Sequence, residues 1–133
     1  MHQILTLLIV LWSLFFISCK SSSKTQLNLN EAIVGIWYHS FEEDSADVKC
    51  FRKDGFKFPE ARGRMGMVFN EKGAFEQINI GATDKEERVK GSWRIAHNNM
   101  IDIHLFQHKK FVYKAKVFEV TKNKLRWQIV PHH

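Results

Sequence analysis

The sequence predicts an all-β protein, an antiparallel up-and-down meander of about eight strands that closes into a small barrel. Three observations predict it. After Ile33 the apolar residues alternate with polar ones and do not recur at helical spacing. The alternating runs are separated by short turn-forming stretches, so strands are expected to pair with their sequence neighbours. One phase of the alternation is apolar: Ile101, Ile103 and Leu105 against Asp102 and His104, and Leu125, Trp127 and Ile129 against Arg126 and Gln128. A sheet with one apolar face and no helix to cover it buries that face by closing on itself, which also removes its edges.

The elements follow in order along the chain. The apolar run 4–17 is too short for a membrane span of about 20 residues and passes at once into a polar tract, so it reads as an export signal. Residues 20–30 are mostly Ser, Lys, Gln and Asn, the composition of a tether. Residues 28–32 suit one helical turn. Strands are expected over 33–38, 48–51, 65–69, 74–80, 89–95, 100–106, 111–120 and 125–130. Asn70-Glu71-Lys72-Gly73, His97-Asn98-Asn99, residues 107–110 and Lys122-Asn123-Lys124 turn the chain between the later strands. Residues 53–64 hold Gly55, Pro59 and Gly63 among charges and are expected to form an exposed loop, one lip of the barrel. The strand over 111–120 changes phase near Val117-Phe118, which implies a bulge.

Ser18-Cys19 at the end of the apolar run resembles the lipobox of bacterial lipoproteins. That resemblance implies a signal peptide over 1–18, cleavage before Cys19, acylation of its sulfur, a tether over 19–31 and a barrel domain over 32–131. A plain secretory signal or an uncleaved anchor are the alternatives, and all three place the remaining chain outside the cytoplasm. Lys20 follows the cysteine and no acidic run comes after it, so the chain lacks the tract that resembles a surface-export signal in some bacterial lipoproteins; that comparison implies a position facing the periplasm, expected at the outer membrane. With Cys19 acylated, Cys50 is alone and no internal disulfide is available. It is expected to be a buried, inert thiol. The 20 Lys and Arg exceed the 14 Asp and Glu by a net +6, which suits anionic surfaces or ligands. The basic residues are spread over most segments, so no nucleic-acid partner is expected.

Gly35-Ile36-Trp37, the Phe69 to Gly73 hairpin and Gly91-Ser92-Trp93 followed by Asn98-Asn99 together resemble the small lipocalin-like lipoproteins of the Bacteroidetes type. The resemblance implies that Trp37 packs across a closed barrel end and is covered by Arg126 from the last strand. An eight-stranded barrel is either filled by side chains or holds one small molecule. The large inward candidates here are Trp37, Phe75, Trp93, Phe111, Tyr113 and Trp127.

Polar residues on the inward phase are the candidate ligand contacts. His39 shares the phase of Gly35 and Trp37, and Gln77 and Asn79 share that of Phe75; Trp93 and Tyr113 complete the set. The alternative for that strand is that Ile78 and Ile80 face in and the amides face water. If the strand continued past 106, His104 and His108 would lie about 13 Å apart, too far to share an ion without a turn between them; His132 and His133 end the chain, and no His-Cys-carboxylate cluster has metal-site spacing, so no metal or cofactor is expected. The acidic residues fall mostly in turns, and no nucleophile-base arrangement or phosphate-cradling loop is evident, so binding and not catalysis is expected. The expected partner is a small hydrophobic or amphiphilic molecule. The alternative is a filled barrel that contacts an envelope protein, anionic lipid or polysaccharide, as an inhibitor of a secreted enzyme among other roles, through Arg52, Lys53, Lys57, Arg62 and Arg64.

Overall fold

Period-two alternation becomes strand after strand. The computed structural model of the chain describes residues 28–107 and 112–131. It holds a short helix α1 (Leu29–Ala32) and eight strands: β1 (Gly35–His39), β2 (Lys49–Lys53), β3 (Gly66–Phe69), β4 (Ala74–Ile80), β5 (Glu86–Ile95), β6 (Met100–Leu105), β7 (Val112–Val120) and β8 (Lys124–Val130). The expectations for Cys19, His108, Phe111, His132 and His133 lie outside the described residues. All ladders are antiparallel, and the sheet closes in the order β1-β2-β8-β7-β6-β5-β4-β3. Closure leaves no edge strand open to pairing with another chain. The expected bulge is a register shift in β7 between Val117 and Glu119.

β3 to β8 form the meander, but the first two strands are inserted differently. β2 pairs with β1 and β8, and β3 pairs with β1 and β4. Strands 2 and 3 therefore flank β1 and run parallel to each other. Parallel neighbours need a connection of about a dozen residues, and residues 54–65 supply it. This segment is not a lip: Lys53 ends β2, and the rest is a strap that climbs the outer wall. The Arg52 guanidinium lies 4.8 Å over the Phe56 ring, and Phe58 meets Phe56 edge-on at 4.9 Å. Arg64 fastens the far end. Its guanidinium stacks on Phe41 at 4.6 Å and Phe58 at 4.4 Å, and donates to the carbonyls of His39 and Pro59 at 3.1 and 3.0 Å.

Inward-facing aromatics fill the middle of the barrel. Phe69 meets Phe75, Trp93 and Trp127 edge-on at 5.1, 5.3 and 6.1 Å, the arrangement that the ring quadrupoles favour. Glycine makes room for them. Gly35, Phe69, Phe75 and Gly91 lie side by side on four neighbouring strands, so two large rings sit between two positions without side chains. β6 passes so near β5 that a Cβ on Gly91 would stand 2.3 Å from the His104 carbonyl oxygen.

One end is closed by residues 28–34, which precede the first strand. Asn28 caps α1 by accepting from the Asn30 amide at 3.2 Å, and Leu29 packs against the core, inside the segment expected to be tether. Ile33 is fully buried, and its carbonyl accepts the Trp37 indole N–H at 2.6 Å. The cation over Trp37 is Lys53, 4.3 Å from the ring, which donates to the Val34 carbonyl at 2.5 Å. Arg126 does not fill that role. Its neighbours Leu125 and Trp127 take the inward phase, which turns Arg126 to the outer wall, 3.9 Å from Glu119.

Candidate functional site

The three hairpin turns β3–β4, β5–β6 and β7–β8 lie at the Trp37 end. The opposite end carries His39, Ile80, Glu86 and Val130 at the strand tips. Here the inward phase turns polar. Gln77 stands opposite Met67 and Val89, and Asn79 opposite Glu87. Both are half-buried, and Gln77 Nε2 donates to Asn79 Oδ1 at 2.8 Å. Residues two apart on a strand share a face, so the amides form one polar step above the aromatic floor. Among the described residues, the side-chain atoms Gln77 Oε1 and Asn79 Nδ2 have no hydrogen-bond partner.

The alternating apolar residue on that strand, Ile78, faces outward yet is completely buried. Both phases of β4 are covered, one by the core and one from outside. Tyr38 leans over Gly66, the register partner of Ile78, so closely that a Cβ there would stand 2.9 Å from its ring. The strap reaches Ile80, where a Cβ on Gly63 would be 3.0 Å away. The apolar content of β4 thus fits either phase, and the strap is what separates them.

His39 is turned to the rim. Its Nε2 lies 3.0 and 3.1 Å from the two Asp44 oxygens, and its ring packs 5.1 Å from Phe51. Asp44 also accepts from the Cys50 amide at 2.9 Å and Lys49 Nζ at 3.0 Å. Burial alone would raise the Asp44 carboxyl, but these three donors outweigh it and hold it below the usual range. Tyr113 packs against the core, and burial pushes its phenol far upward, so it stays a neutral O–H. Trp93 donates its indole N–H to the Asn70 carbonyl at 2.9 Å and serves as wall. Of the five candidates, Gln77 and Asn79 are joined to each other, while His39 is held by Asp44.

Three acidic side chains expected in a solvated turn are instead structural. Glu42 pairs with Arg64; Glu43 accepts from Ser40 at 2.8 Å and Arg52 Nε at 2.7 Å; Asp44 holds His39. The Arg52 bond holds the Glu43 carboxyl down to about 2. The five basic residues considered for surface contact are consequently not one free patch: Arg52 and Arg64 are paired, Lys53 covers Trp37, and Lys57 and Arg62 are exposed. Arg52, Lys53 and Lys57 share an open cleft of about 480 Å³ with Phe56 and Asn123. Cys50 is fully buried under Glu43, and burial pushes its thiol up, which makes it a poor nucleophile. Among the described residues no three His, Cys, Asp or Glu side chains converge as metal ligands would.

Set against protein families, curated proteins and solved structures, the chain matches none. Its chemistry rests on the geometry above: uncharged donors and acceptors at one end of a closed barrel, over an apolar floor.

Proposed function

We propose that this chain is a lipocalin-like lipoprotein, anchored through acylated Cys19 on the periplasmic face of the outer membrane, that binds a small amphiphile and catalyses no reaction. The amphiphile's head is uncharged and rests on Gln77 and Asn79, and its apolar part lies against the aromatic interior. The observation that carries this reading is the half-buried amide pair, whose remaining donors and acceptors have no protein partner among the described residues. Both amides still reach solvent, the buried side-chain polar atom without a partner among the described residues being Asp102 Oδ1, so a ligand hydroxyl would replace water on them and gain about 0.5 to 1.5 kcal/mol per hydrogen bond. An anionic head is disfavoured because the exposed Glu87 stands opposite Asn79 in the β4–β5 register and Lys49 is already bonded to Asp44.

Titration of the full chain with dodecanol, followed by tryptophan emission, tests the site. A saturable change is expected, and Gln77→Leu with Asn79→Leu should weaken binding roughly tenfold, the loss of one to two net hydrogen bonds. Absence of saturation, or unaltered affinity in the double variant, would remove the site. Cys19→Ser should abolish palmitate labelling; continued labelling would remove the anchor. The alternative, a filled barrel that works through its outer surface, draws support from the close packing of Phe69, Phe75, Trp93 and Trp127, and the same titration separates the two.

A further inference from the structure

Most arginines of this molecule are spent on its own carboxylates: Arg52 on Glu43, Arg64 on Glu42, Arg88 on Glu76 and Glu86, Arg126 near Glu119. The outer wall of β5, β6 and β7 is different. Lys90, Lys114 and Lys116 are exposed there, and among the described residues no carboxylate lies within salt-bridge distance of them. The outward acids of these strands are Glu86, held by Arg88, Asp102, which is buried and paired with Arg94 at 2.8 Å, and Glu119, which lies 3.8 and 3.9 Å from Lys124 and Arg126 of β8. Arg94, Asp102 and Lys114 stand side by side on the three strands, with Lys116 two residues farther along. Strand spacing makes the basic band about 10 Å wide, with about 7 Å between the two β7 lysines.

Two exposed phenyl groups end the band. Phe106, 58 % exposed, follows β6 and meets the His104 ring edge-on; Phe118, 51 % exposed, is thrown outward at the β7 bulge with Lys116 Nζ 5.6 Å from its ring. We propose that this wall docks on a bilayer rich in anionic lipid, the lysines meeting head-group charge and the phenyl rings entering the interface. A plane touches a convex barrel along a strip parallel to its axis, to which the strands are tilted by roughly 35 to 45°, so such a strip crosses neighbouring strands, as the lysines of β5 and β7 do. Its unpaired cations are lysines, flexible point charges that suit a diffuse anionic field, whereas evenly spaced carboxylates would favour the planar fork of arginine.

The test compares partition of the full chain into vesicles of phosphatidylglycerol and phosphatidylcholine at 3:7 with partition into phosphatidylcholine alone. Taking this ratio cancels any contribution of the apolar segment 4–17, which both vesicles share. A ratio well above one is expected, falling about fivefold per lysine removed in Lys114→Gln with Lys116→Gln. Lys57→Gln with Arg62→Gln removes the same charge elsewhere and should leave the ratio within about threefold. Phe118→Ser should lower partition into both vesicles. Equal falls in the two double variants would reduce the effect to net charge and overturn the wall. An intact ratio in the Lys114 and Lys116 variant, with its retention on polygalacturonate lost, would overturn the bilayer in favour of an acidic polymer.

Discussion

Trp37 depends on residues that its own strand does not supply. Its indole N–H needs the Ile33 carbonyl, and the ring face that would otherwise meet water at the barrel end is covered by the Lys53 stem and ammonium. Gly35 permits both. Its φ is +129°, a conformation open to glycine, and a Cβ there would stand 2.7 Å from Lys53 Cε. Gly35→Ala should therefore destabilise the barrel by about 1 to 3 kcal/mol, measured by urea unfolding; a cost under half a kcal/mol would detach Lys53 from the closed end. At the other end of the polarity scale, Glu43 titrates near 2 in the fold against 4.5 ordinarily, because Arg52 stabilises its charged form. A carboxyl depressed on folding adds stability that is complete above about pH 4.5 and is lost as pH falls toward 2. Arg52→Met should move acid unfolding to higher pH, followed by tryptophan emission; an unmoved midpoint would show that the pair contributes nothing.

The strap is the element on which the strand order turns. Arg64 is nearly buried between Phe41 and Phe58 and donates to two carbonyls, so Arg64→Ala should cost about 2 kcal/mol and speed proteolysis within residues 54–65. Unaltered proteolysis would mean that the strap is fastened elsewhere. All eight strands were legible in the sequence, because alternation and turn residues are local signals. The insertion of β1 between β2 and β3 was not, since pairing between strands depends on three-dimensional closure. One sign was present: residues 54–65 are far longer than the hairpin turns, and a connection between strands running the same way needs about that length. Gln77 and Asn79 were found because they share the phase of Phe75. Lys53 was read as a surface contact and not as the cover of Trp37, because a lysine at a strand end beside an exposed loop reads as solvated until the strand's register places it across from Trp37.

At the scale of the molecule, the barrel has one end sealed by α1, Trp37 and Lys53, and another where polar side chains replace the aromatic filling. This asymmetry gives the fold a direction, with an apolar floor and a polar upper step, and the outer wall adds a separate basic band. The proposed function requires the interior to be occupied in the cell by a small uncharged amphiphile. Native mass spectrometry of the protein purified gently from its own host, compared with the denatured protein, tests it most directly. A reproducible extra mass of small-molecule size that is lost on denaturation, and absent from the Gln77→Leu with Asn79→Leu variant, is the predicted result. A protein whose native and denatured masses agree would contradict the account and leave the barrel a filled scaffold for its outer surface.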